Sequence, residues 1–183
     1  ANQPTVTKAQ NFNPIVTFDG SNDYLSNSAG YWKATTSNNQ YDTFVVSTNQ
    51  HTGGVNAVFG ETPSAGTQMM FLPYSGNVYN GFWRSYTASN NQIGTTGKPY
   101  LWSGRFNNSS TPKVNAISQN GKQLASSTST AAFNGSSSAL YLGAHQPNNW
   151  YYNGDVAEVA LYATDLSDTK RQQVLSYLAL KWG

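Results

Sequence analysis

Asn153-Gly154-Asp155-Val156-Ala157-Glu158-Val159-Ala160-Leu161-Tyr162, followed by Asp165-Leu166-Ser167 and the run from Asp168 to Gly183, is the stretch that decides the fold. Val156 to Tyr162 reads as a strand. The period then changes: Val174, Leu175, Leu178 and Trp182 form a stripe at helical spacing, which predicts a helix from Asp168 to about Lys181. Ser167 supplies an N-cap oxygen, and Asp168 complements the positive end of the helix. A single amphipathic helix after a strand needs a sheet to dock on.

Outward from this end the pattern is strand and turn. Ser138-Ala139-Leu140-Tyr141-Leu142-Gly143 alternates, placing Leu140 and Leu142 inward and carrying Tyr141 and His145 to the opposite, accessible face. Lys113 to Ser118 and Lys122 to Ala125 flank Asn120-Gly121, the dipeptide that best tolerates the positive φ of a tight hairpin. Tyr100 to Phe106 alternates Tyr, Trp and Phe against Leu and Arg, and Tyr79 to Tyr86 is an aromatic centre containing Phe82-Trp83-Arg84. Short strands are predicted at Val55 to Phe59 and Gln68 to Leu72. In Asp42 to Ser47, Phe44 and Val46 share one face and Val45 takes the other, so this strand is central or buried on both sides. Pro14 to Phe18 is a strand stopped by Asp19-Gly20, and Tyr24-Leu25 resumes the sheet. The expectation is about ten strands and a terminal helix in one domain over residues 1–183; no internal repeat is present, and Ser126 to Thr130 is too short for a linker.

The composition agrees with an all-β chain. Aromatics reach 14%, with 5 Trp and 12 Tyr, so a sizeable core can form although only 38% of the 183 residues are hydrophobic. Charged residues make up 10%, and the polarity comes from Asn, Ser, Thr, Gln and Gly, which suit turns and strand surfaces. A net charge of +2 without a basic run argues against nucleic acid. No stretch of apolar residues is long enough to insert in a membrane, and no signal-peptide core opens the chain. A start at Ala1 suggests processing or excision, and the absence of Cys fits a secreted or surface protein of bacterial type.

Phe18-Asp19-Gly20-Ser21-Asn22-Asp23-Tyr24-Leu25 resembles the opening signature of concanavalin A-like, laminin-G-like (LamG-like) jelly-roll domains of bacterial surface adhesins and carbohydrate-active proteins. Asn153 to Tyr162 resembles their closing strand, and Leu166-Ser167 through Tyr177-Leu178-Ala179-Leu180-Lys181-Trp182-Gly183 their terminal helix. Asn120-Gly121-Lys122 and Leu142-Gly143-Ala144 fall between them in the family's order. The resemblance implies a two-sheet antiparallel jelly-roll sandwich with one C-terminal helix, working as a non-catalytic, lectin-like module of a larger extracellular protein. It does not imply one ligand, because function belongs to sites rather than folds.

Related sandwiches include glucanases, which need two carboxylates about 5 Å apart on one strand. The nearest pair here, Asp155 and Glu158, is spaced to fall on opposite faces of a regular strand, and Glu158 reads instead as a structural acceptor for loop amides at the sandwich edge. Neither His51 nor His145 has a nucleophile-elbow context. Calcium is the one cofactor the turns suggest, through Asp19, Asp23 and Asp155; the competing reading has Asp19 and Asp23 stabilising a turn by side-chain to backbone bonds. Zinc lacks ligands.

Glycan binding needs aromatic faces for sugar C–H surfaces, with amides and guanidinium groups for the hydroxyls. The candidates are Trp83 with Arg84, Trp102 with Arg105, and the segment His145, Gln146, Asn148, Asn149, Trp150 and Tyr151. Core packing is the alternative for each Trp, with at least half expected buried; Trp182 lies on the helix stripe, and Trp150, in a polar loop, is the best ligand contact. Arg84 and Arg105 have structural cation–π stacking as their alternative. A glycan or cell-surface ligand is thus the expected partner, against a peptide-binding or spacer module as the rival.

Overall fold

The computed structural model describes residues 3–27, 40–50, 54–61, 69–82, 85–128, 139–145 and 149–183. In chain order their strands are β1 (Thr5–Gln10), β2 (Asn13–Asp19), β3 (Leu25–Asn27), β4 (Gln40–Asn49), β5 (Phe59–Glu61), β6 (Met69–Tyr74), β7 (Asn77–Phe82), β8 (Ser85–Ala88), β9 (Pro99–Asn107), β10 (Val114–Gln119), β11 (Lys122–Ser127), β12 (Leu140–Leu142), β13 (Ala144–His145), β14 (Trp150–Tyr151) and β15 (Asn153–Tyr162), and the helix is α1 (Asp168–Trp182). The back sheet runs β1-β2-β15-β4-β9-β10-β11 and the front sheet β3-β12-β5-β6-β7-β8, with β13-β14 a short separate ribbon. All pairings are antiparallel, so the fold is a two-sheet sandwich with a helix on the outside of the back sheet.

Alternation sorts the back sheet's side chains into two cores. Phe18, Tyr41, Val45, Trp102, Phe106, Ile117 and Val156 point between the sheets, where they meet Val58, Phe59 and Val78. Ile15, Phe44 and Val46 point the other way, onto Leu166, Leu175, Leu178 and Trp182. Strand β4 is therefore central and buried on both faces, as Phe44-Val45-Val46 predicts. The Asn120-Gly121 hairpin also forms, at φ 49° and 78°, and Asn120 ties it to β9 by accepting the Leu101 N–H at 3.0 Å.

The helix begins and ends where its caps direct. Ser167 Oγ accepts the Lys170 N–H at 3.4 Å, and Gly183, at φ 85°, donates its N–H to the Ala179 carbonyl at 3.0 Å. Charges then lock it to the sheet. Arg171 pairs with both oxygens of the fully buried Asp42 and reaches Asp165 at 3.2 Å, while Arg105 grips Asp165 in bidentate fashion at 2.6 and 2.9 Å. Burial pushes Asp42 up to about 6 against the pull of Arg171.

Some local expectations change. Strand β1 adds an edge that the sequence pattern did not show, and the Val55 to Phe59 segment pairs as a strand only from Phe59, with Val55 bridging Tyr74. Trp150-Tyr151, read as loop, is strand β14. In β15 the register against β4 slips between Val156 and Glu158, so Ala157 is an extra residue. That bulge puts Asp155 and Glu158 on the same outer face, not on opposite faces. Asp155 there accepts from Thr17 Oγ1 at 2.6 Å and Lys8 Nζ at 3.0 Å. Glu158 is structural, but through the helix rather than loop amides: it accepts from Trp182 Nε1 at 2.7 Å and Lys181 Nζ at 2.9 Å.

Candidate functional site on the front sheet

The outer face of the front sheet follows from strand parity. Leu140 and Leu142 pack into the sandwich core, so Tyr141 faces out; Phe59 packs inward, so Gly60 faces out. Val78 and Asn80 are buried on the inner side, which turns Tyr79 and Gly81 outward. Pairing then sets Tyr141, Gly60, Met70, Gly81 and Tyr86 in one row across the sheet. Two of the row's positions are glycine, and both are buried; at Gly60 the His145 ring covers the backbone.

Tyr79 is the hub of this face. Its ring centroid lies 5.1 Å from Tyr86, edge to face, and 6.2 Å from Tyr74. Tyr74 and Tyr86 remain 43% and 51% exposed, so the cluster offers aromatic surface to solvent rather than burying it. Partial burial, and then the neighbouring phenols, hold the Tyr79 hydroxyl above its usual range, which keeps it a protonated donor.

The β13-β14 ribbon stands beside the cluster. His145 and Trp150 are direct cross-strand partners, stacked at 5.0 Å and 27°, and Trp150 packs with Tyr79 and Val55 around Ala57. Gly143, at φ 83°, starts the ribbon; a Cβ there would overlap the Phe18 ring. The backbone anchors on both sides, since the Gly143 N–H donates to the Val58 carbonyl at 2.7 Å and the Gly143 carbonyl accepts from the Tyr152 N–H at 2.8 Å. His145 is wholly buried, and desolvation pulls it down to about 4, so the ring is neutral.

The residues singled out from the sequence divide sharply. Trp150 and Tyr151 are half-buried and Asn149 is exposed beside them, with Tyr151 Oη 3.4 Å from Asn149 Oδ1, so this segment does flank the face. Trp83, Arg84, Gln146 and Asn148 lie outside the described residues. Trp102 is corrected: at 3% exposed it is core, because its position in β9 alternates inward. Arg105, on the back sheet, is the bidentate partner of Asp165. His145 is buried rather than accessible, because it folds back over Gly60.

The three aspartates serve local structure. Asp19 Oδ1 accepts the Ser21 N–H at 2.7 Å and the Asn22 N–H at 3.3 Å, and Asp23 accepts the Asp19 N–H at 3.2 Å, the turn-stabilising pattern. Asp155 is paired with Lys8. Among the described residues no group of three or more His, Cys, Asp or Glu converges in a way that could hold a metal ion. What sequence reasoning missed is Tyr74, Tyr79 and Tyr86. The signal was present in the aromatic centre, but it takes the β6-β7-β8 register to show that these rings meet.

Neither a family model nor a curated protein matches the chain. Solved structures do. The chain superposes on domain 4 of AbnA, a GH43 extracellular arabinanase from Geobacillus stearothermophilus, in complex with arabinotriose, with a TM-score of 0.72 and 13% identity over 96% of this chain and 82% of that one. It superposes on the CBM40 of Ruminococcus gnavus IT-sialidase bound to α2,3 sialyllactose at a TM-score of 0.65 and 8% identity, over 88% and 96%. A botulinum neurotoxin type C structure, from work on its interaction with two ganglioside molecules, matches at 0.65 and 8%; the chain spans 45% of it. At these identities, what the chain shares with all of them is the β-sandwich fold.

Proposed function

We propose that the chain is a non-catalytic carbohydrate-binding module whose ligand lies on the outer face of the front sheet, against Tyr74, Tyr79, Tyr86 and Trp150. The observation that carries this is the tyrosine cluster itself, with rings in mutual contact on a rigid sheet and two of them about half exposed. Such rings have no folding reason to face water together, and they match the apolar C–H face of a sugar while their hydroxyls bond its oxygens. Structural neighbours with arabinotriose or sialyllactose bound support the glycan reading. A non-catalytic role fits the carboxylates: Asp155 and Glu158 share a face, yet each is committed to its own cation, on the back sheet rather than near the tyrosines. The motifs at Phe18 to Leu25 and Asn153 to Gly183 support a laminin-G-like module acting outside the cell as part of a larger protein.

A glycan array that includes arabino-oligosaccharides and sialylated lactose tests this. Binding to one glycan class is expected, with Tyr86→Ala and Tyr74→Ala each weakening it about tenfold while the melting temperature stays within about 3 °C, because exposed rings contribute little to the fold. A blank array from folded protein sinks the glycan reading and leaves a peptide ligand or a spacer role.

A further inference from the structure

The stack at the edge of the tyrosine face has an inner and an outer member. The His145 imidazole is wholly buried, the Trp150 indole half-buried, and the rings are 27° from parallel. Beneath the imidazole is the backbone of β5. A Cβ on Gly60 would lie 2.9 Å from His145 Cδ2 and 3.2 Å from its Cβ, so the ring sits where a side chain at position 60 would otherwise stand. Backbone, imidazole and indole therefore form successive layers, and the indole and Tyr79 both pack on Ala57. A flat ring wedged against a strand can pass its own plane to the next ring, which a rounded aliphatic side chain cannot do.

We propose that His145 is a positioning residue for Trp150, setting the plane of the indole so that its outer face and the Tyr79–Tyr86 pair present one continuous surface to a sugar. This rests on the carbohydrate-binding reading above. It accounts for a planar polar residue being buried at this point and for glycine behind it. Fixing the indole before the ligand arrives removes an ordering cost from binding.

The test uses His145→Ala, His145→Phe and Trp150→Ala in the full chain, with Trp150→Phe to assign the Trp150 signal in near-ultraviolet circular dichroism. Arabinotriose, α2,3-sialyllactose and the best array glycan are titrated by calorimetry. His145→Ala should abolish the Trp150 dichroic band and weaken binding about tenfold, and His145→Phe should restore both to within about threefold. His145→Ala combined with Trp150→Ala should bind no more weakly than Trp150→Ala alone. Should His145→Ala fail to fold, Gly60→Ala replaces it, since the added methyl displaces the imidazole. A band that survives loss of the imidazole, or an additional loss of binding when Trp150 is already gone, overturns the proposal. A band that depends on His145 in a protein that binds no glycan keeps the positioning of Trp150 and removes the carbohydrate reading.

Discussion

Replacing Arg171 by Met removes the guanidinium that neutralises Asp42 while keeping most of the side chain's volume. The carboxylate it abandons is fully buried and retains the Leu166 N–H at 2.7 Å as its remaining described donor. Breaking such a pair from one side typically costs about 3–5 kcal/mol, because the charge left behind is uncompensated. Here protonation limits that cost. Burial already lifts Asp42 from 3.8 to about 6, so the folded protein holds a proton that the unfolded chain releases, and this group's contribution falls as pH rises from about 4 to about 6. Without Arg171 the value rises further, and the fall continues above pH 6 at no more than about 1.4 kcal/mol per pH unit. The expected loss is thus about 3 kcal/mol at pH 8, a drop of roughly 6–12 °C in melting temperature, and about 1 kcal/mol at pH 5, where Asp42 is largely neutral and only the bond to Asp165 is missed. Urea unfolding of both proteins at the two pH values measures it. A loss independent of pH would refute the assignment of Asp42 as the group that titrates, and a loss under about 1 kcal/mol at pH 8 would refute the lock between helix and sheet.

Trp102→Ala should cost about 3–5 kcal/mol in chemical unfolding, because the ring fills the core between the sheets; a stable variant with lost glycan binding would return Trp102 to the ligand surface. His145, held down near 4 when folded against 6.5 unfolded, contributes stability that is complete above about pH 6.5 and is lost as pH falls toward 4, by up to roughly 3 kcal/mol. The difference between the pH–stability curves of the native chain and His145→Phe should show that acid loss; parallel curves would mean the imidazole is hydrated. Chelator should leave the unfolding midpoint within about 2 °C, since Asp19 and Asp23 are engaged by backbone N–H groups and Asp155 by Lys8; a larger drop would place a cation on these turns.

Particular residues show where the sequence suffices and where it does not. Phe44-Val45-Val46 announced a strand buried on both faces, and β4 is one, because apolar residues of both parities admit no solvated side. Ser167 and Asn120-Gly121 marked a helix start and a hairpin, since capping and positive φ are settled within a few residues. The polar context of Trp150 favours it over Trp102 as a ligand contact, yet both residues stand in strands. One proved core and the other lies at the edge of the tyrosine face, and the choice depends on which way a strand alternates once its neighbours are known. Asp155 and Glu158 change their relation through one bulged residue, Ala157, which period-two counting cannot foresee.

From its own order of residues the chain determined an all-β protein with a terminal helix, the positions of most strands, and the caps and turns that join them, because those depend on interactions between near neighbours. The gathering of Tyr74, Tyr79 and Tyr86 beside Trp150, the burial of His145 over Gly60, and the pairing of Asp42 with Arg171 were decided only by the tertiary structure. Each joins segments whose meeting is fixed by sheet register and long-range packing, and none of the three is written in the spacing of residues along the chain.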